Sequence, residues 1–162
     1  MEHNIELSET IDLLIQHWEK QSISISPNSR SEITEFETSK NIKLTEDFVE
    51  FYLRVNGMEF PVEKDEEGFC FFLVQQIKTI RERFNIKWYQ KYLAGVGTKN
   101  KILIFVDYMD SSWWYGVEID STRNDYTIGI IPDKEKFKPI TKSLAEFLKL
   151  YMDDSGILYV YE

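Results

Sequence analysis

Three runs between residues 102 and 131 constrain the fold most. Residues 102–108, Ile-Leu-Ile-Phe-Val-Asp-Tyr, are the most apolar strand candidate in the chain. A polar turn, Met109-Asp110-Ser111-Ser112, leads into residues 113–119, whose alternation is that of a half-buried antiparallel strand. Asp120 to Asp125 turns the chain again, and residues 126–131 close the series. Strands joined by such short polar turns make a β-meander, and cross-strand pairs fix its register.

Helical spacing dominates before residue 57. Over residues 5–21, Leu7, Ile11, Leu14, Ile15 and Trp18 share one stripe, which predicts a first helix; residues 22–27, ending in Pro27, break it. Ser29 and Glu32 have capping-box spacing, so a second helix is expected with Ile33 and Phe36 inward and an end near Asn41. Residues 44–57, Leu-Thr-Glu-Asp-Phe-Val-Glu-Phe-Tyr-Leu-Arg-Val-Asn-Gly, read as one complete short helix. Thr45 is the expected N-cap, its hydroxyl accepting from first-turn amides, with Glu46 and Asp47 favouring the positive end of the helix dipole. Leu44 is expected to close over Val49 as a hydrophobic staple. Phe48, Phe51, Tyr52 and Val55 form the apolar face, and Gly57 is expected to take the left-handed conformation that ends the helix.

The intervening segments are mixed. Residues 58–62 read as extended but interrupted by Pro61, followed by an acidic turn at 63–68 and a buried aromatic strand at 69–74. Ile77, Ile80 and Phe84 at helical spacing predict a helix over 75–84 with basic residues outward, and residues 92–97 read as a strand with small residues for close packing. Pro132 and Pro139 bracket a charged loop. Ser143 and Glu146 then open a last helix with Leu144, Phe147, Leu148 and Tyr151 inward, and the apolar tail 157–161 is expected to dock.

The segment Leu-Thr-Glu-Asp-Phe, then Phe-Tyr-Leu, then Asn-Gly resembles the most recognisable stretch of the SMI1/KNR4 family, also called the SUKH superfamily. The usual form there is Leu-Pro-x-x-aromatic, an apolar helix and Asn-Gly, so Thr45 stands where proline is common. Ser-Leu-Ala-Glu-Phe-Leu at 143–148 is close to the family's Ser-Phe-x-x-Phe-Leu. The order of elements agrees as well. The resemblance implies an α+β fold, a mainly antiparallel sheet packed against helices, which is what periodicity gives independently.

Length and composition narrow the function. At 162 residues with 43% apolar and 15% aromatic content the chain suits a single domain spanning 1–162. No stretch approaches the roughly 20 apolar residues of a membrane span, and the start, Met-Glu-His-Asn-Ile-Glu, lacks the regions of a signal peptide, so a cytoplasmic protein is expected. Cys70 is the only cysteine and has Phe69, Phe71 and Phe72 as neighbours, which favours packing over nucleophilic chemistry. With His3 and His17 the only histidines, no zinc set is expected. Phosphate loops, metalloprotease and hydrolase motifs are missing, and Gly95-Val96-Gly97 lacks the third glycine of a dinucleotide loop. Asp107 and Asp110 fall short of a calcium loop. We therefore expect no cofactor, no metal and no catalysis.

The formal charge of −9 is distributed unevenly. Residues 1–67 and 102–133 are acidic, whereas 77–101 carry Lys78, Arg81, Arg83, Lys87, Lys91, Lys99 and Lys101 against only Glu82. Interleaved with Phe84, Trp88, Tyr89 and Tyr92, that basic run has the composition of a nucleic-acid surface; the overall acidity favours the outer face of an amphipathic helix, and no direct nucleic-acid binding is expected. Trp113 and Trp114 are adjacent on a strand and so face opposite sides. Two readings stay open there: one indole exposed as a protein-binding anchor, or both buried between layers.

The family resemblance implies binding. Bacterial members are predominantly immunity proteins that neutralise a cognate polymorphic toxin, often a nuclease, while fungal relatives act in cell-wall synthesis and signalling. On the first reading Glu59, Glu63, Asp65, Glu66, Glu67, Asp107 and Asp110 steer toward a basic toxin surface, with Tyr108 beside them and Trp113 or Trp114 as anchor. A regulatory or scaffold protein is the alternative, and an uncharacterised hydrolase a further one.

Overall fold

The computed structural model describes residues 2–83, 101–120, 125–132 and 136–159. Its centre is the predicted meander, in which β3 (Lys101–Tyr108), β4 (Trp113–Asp120) and β5 (Asp125–Pro132) pair antiparallel in sequence order. Two short strands, β1 (Phe69–Phe71) and β2 (Lys78–Thr79), lie one after the other along the free edge of β3, and β6 (Lys138–Thr141) extends the sheet beyond β5. The last strand falls where a charged loop was expected. Pro139 hides it from a periodicity search, yet an edge strand tolerates a residue without an amide hydrogen.

An irregularity in β3 governs what each face of the sheet shows. Ile104 pairs with Gly116 and Val106 with Tyr115, so Phe105 is the extra residue of a bulge. Leu103 and Phe105 face the main core before it, and Val106 with Tyr108 after it. Ile102 and Ile104 point to the other face, where they bury Trp114 together with Ile80, Ile131 and Phe137.

Four helices build the main core against the sheet: α1 (Glu2–Lys20), α2 (Arg30–Lys40), α3 (Glu46–Arg54) and α5 (Leu144–Met152). The expected inner stripes are buried, with Leu7, Ile11, Leu14 and Trp18 from α1, Ile33 and Phe36 from α2, Phe48, Phe51 and Tyr52 from α3, and Leu144, Phe147, Leu148 and Tyr151 from α5; Ile15 is half-buried. Aromatic rings fill the middle, where Phe71 meets Trp18 at 5.3 Å and Tyr151 at 4.7 Å between centroids. A fourth helix in chain order, α4 (Ile80–Arg83), is one turn long.

The helix ends show where local chemistry was legible. Ser29 and Glu32 form the reciprocal capping box, and Asn41 ends α2 in the left-handed region at φ 52°. Thr45 holds the N-cap position of α3, but its hydroxyl makes no cap bond and is buried without a partner. At the other end the expected roles are exchanged. Asn56 takes the left-handed conformation at φ 68°, and its side chain accepts from the Val74 amide at 2.8 Å. Gly57 is required for closeness: a Cβ there would stand 2.3 Å from the Phe72 carbonyl oxygen. In α5, Ser143 accepts from the Glu146 amide, while the Glu146 carboxylate accepts from the Thr141 hydroxyl at 2.7 Å instead of completing a box.

Residues 58–62 contribute one isolated bridge at Met58 followed by a turn containing the cis Phe60–Pro61 bond, not an extended run. The strand expected over 69–74 stops at Phe71, because the bond from Val74 to Asn56 bends the chain into a 3-10 turn at Val74–Gln76. Ile77 and Ile80 are buried as expected, but on a turn, β2 and α4 in place of one helix. A capping box of Thr79 with Glu82, bonded at 2.9 and 3.1 Å, starts α4 at Ile80. Phe84, the 92–97 strand, Gly95-Val96-Gly97 and, from the basic run, Lys87, Trp88, Tyr89, Lys91, Tyr92 and Lys99 lie outside the described residues.

Candidate protein-binding surface

The β3–β4 hairpin turn and the loop before β1 meet at one end of the sheet. Asp107 organises the turn from below: it is 2% exposed and accepts from the Ser111 amide at 3.1 Å, from the Ser111 hydroxyl at 3.2 Å and from the Trp114 indole. Above it Met109, Asp110 and Ser111 take φ of 51°, 50° and 75°, three consecutive left-handed residues without a glycine. Such backbone is held only when its surroundings over-determine it, and the effect is to turn Met109 and Asp110 outward. The Met109 amide donates to Gly68 at 2.9 Å, and Lys64 donates to both carboxylate oxygens of Asp110 at 3.0 and 2.9 Å.

Beside this turn stands an aromatic cluster. The Tyr108 and Trp113 rings, cross-strand partners, stack with centroids 4.4 Å apart. Tyr159 meets the pair edge-on, 5.5 Å from Tyr108 and 6.4 Å from Trp113. All three are half-buried. Their placement is fixed from behind: the Trp113 indole donates to the Tyr115 hydroxyl at 3.0 Å, and that hydroxyl donates to the Leu158 carbonyl. Carboxylates rim the cluster. Tyr159 donates to Asp154, and the pKa values of both Tyr108 and Tyr159 are raised, first by desolvation and then by charges that include Asp154 and Glu67.

Three residues expected on the contact surface are interior. Asp65, 7% exposed, accepts from the Glu67 amide at 2.9 Å, the Phe69 amide at 2.8 Å and the Tyr151 hydroxyl, which in turn accepts from the Trp18 indole at 3.0 Å. It ties the loop before β1 to α1 and α5. Asp107 supports the turn as described, and Trp114 is 5% exposed on the second face of the sheet. Desolvation pushes the carboxyls of Asp65 and Asp107 above the usual carboxylate range, against the hydrogen bonds that hold them down. A count of acidic residues cannot separate a buried acceptor from a surface charge.

Of the others, Glu59, Glu66, Glu67 and Asp110 are exposed, Asp110 in its pair with Lys64, while Glu63 is half-buried and accepts from the Ser24 amide at 3.3 Å. The structure brings Glu67, Tyr108, Asp110 and Trp113 to one region. It adds Met109, Asp154 and Tyr159, which sequence reasoning passed over. Tyr159 had one signal, the apolar tail expected to dock, in which Leu158 is fully buried and Ile157 is exposed. Burial raises the Cys70 thiol to about 12, so it is no nucleophile at neutral pH. Among the described residues no group of three or more His, Cys, Asp or Glu is placed to hold a metal ion.

The antiparallel sheet and its helical layer define an α+β domain. The SMI1 / KNR4 family (SUKH-1) model matches residues 27–150, and the chain belongs to that family. No curated protein matches it. The family supports a non-catalytic, SUKH-type domain. No helix among the described residues is long and apolar enough to cross a membrane.

Proposed function

We propose that this chain is the immunity partner of a bacterial polymorphic toxin, a cytoplasmic protein that binds the toxin and blocks it by contact. The observation that carries the reading is the half-exposed Tyr108–Trp113–Tyr159 cluster with Glu67, Asp110 and Asp154 around it, on a chain of net charge −9. Aromatic anchors inside a charged rim are the composition of binding hot spots, and a negative field draws a basic toxin surface, such as a nuclease cleft, at high rate. Glu59, Glu63 and Glu66 add to that field, whereas Asp65, Asp107 and Trp114 act by shaping the surface from beneath. The first helix precedes the matched segment yet packs into the same core, which supports reading the chain as one domain.

The test is co-expression with the product of the neighbouring gene. Rescue of growth together with co-purification is the expected result. Capture of cell-wall or signalling proteins, with no toxic neighbour, would replace this reading by the regulatory one.

A further inference from the structure

We propose that His17 is a proton-sensitive latch for the loop before β1: as the neutral imidazole it holds the Gln21 side chain on the Glu66 amide, and on taking a proton it releases that stretch of the loop. The device belongs to the fold and does not depend on what the surface binds.

The hydrogen bonds fix which atom does what. The Glu66 amide donates to Gln21 Oε1 at 2.8 Å, and a backbone N–H only donates, so the carboxamide oxygen of Gln21 has to face the loop. Its Nε2 is thereby turned to His17, whose Nε2 lies 3.2 Å away. A carboxamide nitrogen also only donates. The imidazole nitrogen is therefore the acceptor, which requires the neutral ring with its proton on Nδ1. In the doubly protonated ring both nitrogens donate, and the contact becomes donor against donor. Turning the Gln21 carboxamide over would offer oxygen to His17 but set Nε2 against the Glu66 N–H, so one of the two bonds is lost either way.

The proton has access, and the loop has a bond to lose. His17 is half-buried near the end of α1 and lines an open groove of ≈ 280 Å³ beside α5. Lys20, Lys149 in its pair with Glu6, and Asp153 line the same groove, so charges of both signs face the ring. From α5 the Tyr151 ring also meets it edge-on at 5.7 Å, with its hydroxyl spent on Trp18 and on buried Asp65. Asp65 anchors the loop from inside through the Glu67 and Phe69 amides, and Lys64 ties it to Asp110. Between these anchors Glu66 is held through Gln21. Histidine changes charge between about pH 5 and 8, so the loop edge carrying Glu66 and Glu67 is fastened at the upper end of that range and loosened at the lower.

The experiment follows the isotope-labelled full chain by NMR from about pH 8 to about pH 5, recording the His17 ring signals, the Glu66 amide shift, and the hydrogen-exchange protection of that amide corrected for the intrinsic pH dependence of exchange. The Glu66 shift is expected to inflect at the midpoint of the His17 titration, and its protection to fall about three- to tenfold across it, the loss of one hydrogen bond. His17→Gln is expected to abolish the inflection. Gln21→Ala is expected to leave His17 titrating while the Glu66 amide stays flat and unprotected throughout. An inflection that survives His17→Gln would assign the titration to Asp65 or His3, and one that survives Gln21→Ala would be a through-space effect of the charge; either overturns the latch. So does a Glu66 amide that stays flat in the wild type while His17 titrates. The test needs no toxin, so its outcome is separate from that of co-expression.

Discussion

Asn56 and Gly57 divide a task that the sequence assigns to glycine alone. The turn out of α3 is made by Asn56, whose side chain then holds Val74, and glycine is kept because the chain passes against the carbonyls of Phe71 and Phe72. Gly57→Ala should therefore destabilise the fold by about 3 kcal/mol, since the atom in the way is backbone and cannot rotate aside; the urea midpoint measures it, and an unchanged midpoint would show that the loop shifts freely. Thr45 leads to the opposite expectation. Its φ of −68° is the value that proline fixes, and its hydroxyl is buried without a partner. Thr45→Pro should stabilise by about 1 kcal/mol, raising Tm by about 2–4 °C. A lower Tm would mean that the Thr45 amide hydrogen matters more than either effect.

At the level of elements, what the sequence showed and what it hid divide along physical lines. Amphipathic periodicity placed α1, α2, α3 and α5, and apolar runs between polar turns placed the three long strands, because each buries many residues in succession. The short elements were missed or misplaced: β2 and β6 went unseen and the helix expected over 75–84 begins only at Ile80, because single contacts such as the Thr79–Glu82 box or the edge pairing of Pro139 leave no periodic trace. The candidate surface was half legible for the same reason. Tyr108 and Trp113 share one strand pair, but Asp154 and Tyr159 arrive from the far end of the chain.

The hairpin turn has its own test, which uses the buried carboxyl beneath it. Asp107 has a folded-state pKa raised by desolvation, so the folded protein binds more protons than the unfolded one over the interval above the ordinary carboxylate value of about 4. The stability it contributes is present in full below that value and is lost as pH rises through the raised one. Asp107→Asn removes the titration and keeps an acceptor for the Ser111 amide. The wild type should lose stability relative to this variant as pH climbs from about 4, as read by denaturant midpoints. Parallel profiles would place the Asp107 carboxylate in contact with water.

For the whole molecule, the net charge of −9 and a pI of ≈ 4.8 bear on how partners arrive. If the acidic field steers association, the on-rate for a captured basic partner should fall about tenfold between about 50 and 300 mM salt, with a much smaller change in off-rate. Stopped-flow or surface-based kinetics would show it. A salt-independent on-rate would confine recognition to the aromatic cluster.

The surplus residue in β3 reaches further than its size suggests. Because the bulge lets Phe105 and Val106 share the main-core face, Asp107 and Tyr108 stay in phase with their partners Trp114 and Trp113; with the same residues paired straight through, the carboxylate would emerge where the phenol now stacks. A relative whose third strand has the same length but pairs without the bulge would display the complementary set of side chains there. Matching partners between such proteins by aligned sequence alone would compare the lining of one with the exterior of the other.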